Sequence, residues 1–249
     1  MILKDKVCIV TGAGKGFGRD IAREFYNQGA KLALITRSQE DIDDLKIEFN
    51  ESSDRILFFC GDVSDRIDSA NFVKNAASVF GTFDVLVNNA GMRFRKDFLK
   101  INPDELDLVL DVNLKSVFFM CQLVLPYMIK NTSGKIINMS SIAGTLGFKS
   151  LSSYVLSKAA IVGLTKSLAV EFAEKNIQIN ALAPGFCKTS YFENFQSNKE
   201  LYDFTLSRTP MGRWGESKEI ADVCVFLASN MSNYMTGEVL KVDGGWSAG

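Results

Sequence analysis

Short runs of consecutive apolar residues alternate with longer segments of helical periodicity along the whole chain. Residues 6–11 (KVCIVT), 31–36 (KLALIT), 55–60, 83–88, 135–139, 178–183 and 238–242 have the length and composition of buried strands. Between them, residues 17–28, 104–130, 154–175 and 217–229 read as helices, and Gly29 is placed to stop the first. The 104–130 segment should break near Asn113, because Asn is a poor helix former. Near-continuous apolar strands separated by helices predict an α/β fold, a doubly wound parallel sheet covered on both faces. No linker, internal repeat or low-complexity tract divides residues 1–249, so a single domain is predicted.

One stretch breaks this rhythm. Residues 186–210 are long, polar and aromatic, with Phe186, Tyr191, Phe192, Phe195, Tyr202 and Phe204. In a doubly wound sheet, ligands bind beyond the carboxyl ends of the strands. A segment of this length there predicts a substrate lid at about 186–210. The alternative is a surface helix pair that packs its aromatics on the core.

Charge and composition narrow the function. Lys and Arg number 28, Asp and Glu 29, for a net charge of −1. That balance offers nothing to nucleic acid or to an anionic membrane. The chain contains no histidine, which excludes Ser-His-Asp triads, imidazole general bases and His-ligated metals, and no metal site is predicted. Five scattered cysteines with no C-x-x-C spacing fit reduced thiols in the cytoplasm. The N-terminus has no signal-peptide core, and apolar stretches such as residues 117–121 are too short to span a bilayer. A soluble cytoplasmic protein acting on a small molecule is expected.

The first strand–helix junction reads Thr11-Gly12-Ala13-Gly14-Lys15-Gly16-Phe17-Gly18. Glycines let the backbone turn sharply and approach a pyrophosphate, and the helix N-terminus offers unpaired N–H groups. A dinucleotide is therefore expected here. After the second strand the chain reads Ile35-Thr36-Arg37-Ser38, with no carboxylate before Glu40. An acid would repel a ribose 2′-phosphate, whereas Arg37 can grip one with a charge-assisted fork and Lys15 adds a second cation. The predicted cofactor is NADP(H).

Tyr154 and Lys158 lie four residues apart at the start of a helix, so their Cβ atoms are about 5–6 Å apart on one face. Lowering a phenol from pKa 10 to about 7 takes roughly 4 kcal/mol. One ammonium about 4 Å away at an effective dielectric near 20 supplies roughly that much. The pair can thus stand in for the missing histidine. Ser141 ends a predicted strand thirteen residues before Tyr154, where a hydroxyl can donate to a substrate carbonyl. Asn88-Asn89-Ala90-Gly91 ends another strand.

Together these residues resemble the short-chain dehydrogenase/reductase family, over essentially all of the chain. The resemblance rests on the turn at residues 11–18, the N-N-A-G run at 88–91, Asn113, Ser141, Tyr154 and Lys158. It extends to Asp62, Pro184, Gly185 and Thr189. It implies a Rossmann fold and an oxidoreductase that interconverts a ketone and a secondary alcohol. Tyr154 would be the general acid in reduction, Lys158 would lower its pKa and hold a ribose, and Ser141 would polarise the carbonyl. Asn113 would anchor a proton-relaying water. Gly12, Lys15, Gly16, Phe17, Gly18, Arg37, Asp62, Val63, Asn89, Ala90, Gly91, Pro184, Gly185 and Thr189 would contact the cofactor, as would Tyr154 and Lys158. A homotetramer is implied, with helices around Asn113 and Tyr154 at one interface.

Two substrate classes follow from the likeness. One is that of 3-oxoacyl-carrier-protein reductases, although the positions aligned with their docking arginines are Pro126 and Lys175 here. The other is sugar acids and polyols, for which Arg93, Arg95 and Lys96 could hold a carboxylate. Members that only sense a dinucleotide form a third, non-catalytic alternative.

Overall fold

A computed structural model describes residues 1–49, 54–189 and 192–249. The apolar runs become β1 (Val7–Thr11), β2 (Lys31–Thr36), β3 (Ile56–Cys60), β4 (Val85–Asn88), β5 (Gly134–Met139) and β6 (Ile177–Pro184). A short pair follows, β7 (Cys187–Lys188) with β8 (Gly215–Glu216), and then β9 (Val239–Val242). The helices are α1 (Gly16–Asn27), α2 (Gln39–Phe49), α3 (Arg66–Phe80), α4 (Pro103–Leu110) and α5 (Ser116–Lys130). They continue with α6 (Ser152–Phe172), α7 (Phe192–Gln196), α8 (Lys199–Arg208) and α9 (Ser217–Ala228).

Seven strands form one parallel sheet in the order β3-β2-β1-β4-β5-β6-β9, the doubly wound arrangement expected. The chain winds outward from β1 to β3, then crosses to the other side of β1. At that reversal the loops after β1 and β4 diverge and leave a crevice. Each face of the sheet has its own core. Ile21 and Phe25 of α1, Leu45 of α2 and Cys224 of α9 cover one face. Phe72 of α3, Met120 and Val124 of α5 and Ile161 of α6 cover the other.

Residues 103–130 do not break at Asn113. One π-helical turn, Asp111–Lys115, inserts between α4 and α5 and keeps the rod continuous. By length and composition alone this rod could cross a membrane, with a mean hydropathy of 1.7 in its most apolar window. The estimate from residues 117–121 was therefore too short. Half of that window is buried in the fold, with Val117, Met120, Val124 and Met128 against the sheet.

Residues 186–210 hold two helices, α7 and α8, rather than an open loop. Phe186, Phe192, Phe195 and Tyr202 surround Trp214 at centroid distances of 4.9–5.7 Å. Trp214 in turn donates to Thr205 Oγ1 at 2.8 Å. The helix-pair alternative thus describes the local packing, while Tyr191 lies outside the described residues.

A buried amide network fixes the strand ends that carry the candidate site. Asn138 on β5 donates to Thr165 Oγ1 of α6 at 3.0 Å and accepts from Asn88 Nδ2 of β4 at 2.9 Å. Asn138→Ala removes two buried hydrogen bonds and should lower unfolding free energy by about 2–4 kcal/mol. A urea melt with an unchanged midpoint would show that the network is dispensable.

Candidate active site

A cleft of about 770 Å³ opens at the carboxyl ends of the strands, over the point where strand order reverses. Its walls run from Arg37 and Asp62 at one end to Ser141, Tyr154 and Phe148 at the other. The NNAG turn is laced to the glycine turn across its floor. Thr11 Oγ1 accepts from Asn89 N and Ala90 N at 3.0 Å each, and Asn89 Nδ2 donates to the carbonyls of Thr11 and Gly12 at 3.0 and 3.1 Å.

The glycine turn is shaped for close approach. A Cβ on Gly18 would lie 2.1 Å from the Gly12 carbonyl oxygen, so the turn can fold onto α1 only with glycine there. Helix α1 begins with no side-chain cap and no acid in its first turn. Its first N–H groups and its positive dipole end therefore meet the cleft. These features fit a pyrophosphate. Gly12, Lys15, Gly16 and Phe17 line the cleft, whereas Gly18 lies behind it and acts through packing.

At the far end Arg37 is 70% exposed and lies 3.8 Å from the Asp62 carboxylate. Asp62 also caps its own turn, accepting from Ser64 N and Ser64 Oγ. One acid there was invisible in the sequence. Asp41, on the first turn of α2, accepts from Thr36 Oγ1 at 3.0 Å and fills the space a Cβ on Gly14 would need.

At the other end, α6 presents Tyr154 and Lys158 to the cleft together with Ser141. The Ser141 hydroxyl acts on the Tyr154 phenol to lower its pKa and also caps the turn after β5, accepting from Ala143 N at 3.1 Å. Lys158 is buried, and its Nζ donates to the Met139 carbonyl at 2.8 Å. Desolvation pushes that ammonium down to about 8. Its Nζ sits 5.8 Å from the Tyr154 ring centroid. The fall of the Tyr154 pKa expected from the sequence does not hold in the chain alone, where the shift is upward. Burial raises the phenol, opposed by the Ser141 hydrogen bond and by the charge of Arg93.

Asn113 does not line the cleft. It is wholly buried in the π turn, where its amide accepts from Met92 N at 2.7 Å and donates to Met92 O at 2.9 Å and Ser157 Oγ at 3.1 Å. It pins the loop after β4 against α6. The extra residue of a π turn re-aims a side chain without ending the helix, a feature frequent at functional sites. Ala90, Gly91, Val63, Pro184, Gly185 and Thr189 all line the cleft. Met139, Ser140, Phe148 and Trp214 line it as well and were not foreseen. Of the three cations after Gly91, only Arg93 lines it; Lys96 is paired with Glu105 at 2.6 Å.

Comparison with known proteins agrees with this fold. A family model described as enoyl-(acyl carrier protein) reductase matches residues 12–247. A 3-oxoacyl-[acyl-carrier-protein] reductase of Thermotoga maritima is 39% identical over 245 residues, covering 98% of this chain and 99% of that protein. A 2-dehydro-3-deoxy-D-gluconate 5-dehydrogenase of Dickeya dadantii is 36% identical over 249 residues, covering 99% and 97%. The crystal structure of a gluconate 5-dehydrogenase from Burkholderia cenocepacia, in complex with NADP and tartrate, superposes with a TM-score of 0.93. Its identity is 32%, over 99% of this chain and 97% of that one. The chain belongs to the short-chain dehydrogenase/reductase family of oxidoreductases.

The buried lysine gives a stability test. Its pKa is about 8 in the fold against 10.5 for the free side chain. Between those values the unfolded chain binds more protons, so stability rises with pH across that window. Lys158→Met should therefore be more stable than the parent at neutral pH by about 1–3 kcal/mol. That advantage should shrink as pH climbs from 8 toward 10.5. A stability gap that stays constant in urea melts over this range would disprove the desolvated ammonium.

Proposed function

We propose that the protein is an NADP(H)-dependent oxidoreductase that interconverts a ketone and a secondary alcohol on a small molecule. The observation that carries this reading is one cleft with a glycine turn at one end and the Ser141–Tyr154–Lys158 group at the other. NADPH, when bound, supplies the hydride. Lys15, Gly16 and Phe17 would hold its pyrophosphate at the start of α1, and Arg37 its 2′-phosphate. Asp62 and Val63 would take the adenine, and Gly91, Pro184, Gly185 and Thr189 would flank the nicotinamide side.

Tyr154 delivers the proton to the carbonyl oxygen, and Ser141 donates a hydrogen bond to that oxygen as charge develops. Lys158 holds the ribose and its charge favours loss of the proton from Tyr154. Asn113 stands behind Lys158, where a water between them would pass protons outward. The segment 186–210 acts as the lid, since Phe186 and, on α7, Phe195 form part of the cleft wall.

A 3-oxoacyl thioester or another small ketone is the first substrate class. A sugar acid is the second, supported by the gluconate and deoxygluconate dehydrogenases among the relatives. Assembly into a cytoplasmic homotetramer completes the reading, supported by exposed Leu108, Phe118, Leu156 and Val170 on α4, α5 and α6. A solution mass near that of one 27.5 kDa chain would reject the assembly.

Oxidation of NADPH across a ketone panel tests the activity. Tyr154→Phe should lower kcat roughly 100- to 10,000-fold while NADPH affinity is retained. Unchanged turnover would reject the mechanism, and NADPH binding without turnover in the parent would favour a sensor. The parent should prefer NADPH to NADH by about tenfold or more in kcat/KM, and Arg37→Glu should erase that preference. Equal use of both cofactors by the parent would reject the role of Arg37.

A further inference from the structure

We infer that Trp246 is the positioning residue of the substrate wall: its ring, with the C-terminal turn that carries it, sets where Phe148 and Phe186 stand in the cleft. This rests on the ketone-reducing reading above and names a residue that acts on substrate binding from behind the cleft wall.

The first observation is that one turn holds both ends of the stretch 186–210. Where the chain leaves β6, Gly185 N donates to the Val242 carbonyl at 2.9 Å. Where it returns, Met211 N donates to the Gly244 carbonyl at 3.1 Å. Val242 ends β9 and Gly244 stands just after it, so the two ends of the stretch share one anchor. The packing there is close: a Cβ on Gly244 would lie 2.8 Å from Thr209 Cγ2, and the residue takes a φ of 62°. Asp243 stiffens the turn from inside. It accepts from Gly245 N at 3.0 Å and from Ser247 N and Oγ at 3.0 and 2.6 Å.

The second observation is the place of the Trp246 ring. It is buried and does not itself line the cleft. Its centroid lies 4.7 Å from that of Phe186 and 6.5 Å from that of Phe148, which stacks on it at 26°. Phe204 of α8 meets it edge-on at 6.2 Å, and the Arg208 guanidinium carbon lies 5.1 Å from its centre. Aromatic and cationic partners at such distances attract beyond the area they bury. Phe148 and Phe186 both line the cleft, on segments that follow β5 and β6. The segment after β5 also carries Ser141. One ring therefore joins two walls of the substrate end to α8.

The third observation is that Phe186 is gripped twice. Trp214 lies 5.3 Å from it and Trp246 4.7 Å, and these are the two tryptophans of the chain. A ring packed by two indoles keeps one orientation, so the width of the cleft beside Tyr154 depends on Trp246 as much as on residues that line it.

Hydrogen exchange and kinetics test this in the parent, Trp246→Leu and Trp246→Phe. In Trp246→Leu the amides of α7 and α8 should exchange about tenfold or more faster, while those of β1 and α1 keep their rates. With NADPH and ethyl acetoacetate as the probe ketone, its KM should rise about tenfold, kcat should change by less than about threefold, and the KM for NADPH should stay as it is. Trp246→Phe should show the same pattern at smaller amplitude, and it stands as the test if Trp246→Leu does not fold. Unchanged exchange in α7 and α8, or an equal rise in α1, overturns the inference, because the ring would then be idle or a general core residue. An NADPH KM that shifts as far as the ketone KM overturns it as well. No turnover of any ketone by the parent, beside the expected exchange pattern, would fail ketone reduction alone.

Discussion

The contact on which the rest of the active site depends joins the end of β5 to the start of α6. Lys158 Nζ donates to the Met139 carbonyl, and Ser140 Oγ donates back to the Lys158 carbonyl at 2.9 Å. Side chain and backbone are exchanged in both directions across one gap. Between them sits Gly144, where a Cβ would lie 2.8 Å from that same Lys158 carbonyl oxygen. The helix can approach the strand end this closely only because the residue is glycine. Tyr154, one turn earlier on α6, takes its position from this clasp. Burying an ammonium against a neutral carbonyl costs stability, so the geometry is kept at some expense to the fold.

Much of this was legible in the sequence, for identifiable reasons. Parallel strands buried on both faces leave unbroken apolar runs, so the sheet was readable. The glycine turn and the Tyr154–Lys158 spacing are local patterns, and local geometry converts directly into sequence spacing. Contacts made across space were not readable. Asp41 meets Gly14 because α2 folds back over the glycine turn, and the sequence gives no periodic signal for that. The Met139 carbonyl is a backbone group, which any residue type would provide. Trp214 lies outside the aromatic stretch it organises. The direction of the Tyr154 pKa was not readable, because the burial that raises it is set by the fold and not by local spacing. Asn113 was seen as a weak helix former, and a π turn is the resolution that keeps both the helix and the asparagine.

The cleft is electrostatically two-ended. Acid and arginine partner each other where the adenosine part of a dinucleotide would lie, and cations among aromatics stand where the chemistry would occur. Phe186, between β6 and β7, and Phe195 of α7 belong to the second end. Their packing on Trp214 ties the wall of the substrate end to β8 and α9, so the shape of the pocket is set by segments far apart in the chain.

The missing imidazole has an experimental consequence. In most proteins, proton uptake or release near neutrality is a sum over several histidines and is hard to assign. Here two buried lysines, Lys158 and Lys135, are displaced by desolvation to about 8, just above neutrality. They lie at opposite ends of β5, Lys158 in the cleft against the Met139 carbonyl and Lys135 against Ser232. Calorimetric heats of ligand binding, measured in buffers of different ionisation enthalpy, would then count protons from a very short set of sources. Protons exchanged when a ligand enters the cleft then bear on Lys158 more than on Lys135, which does not line it.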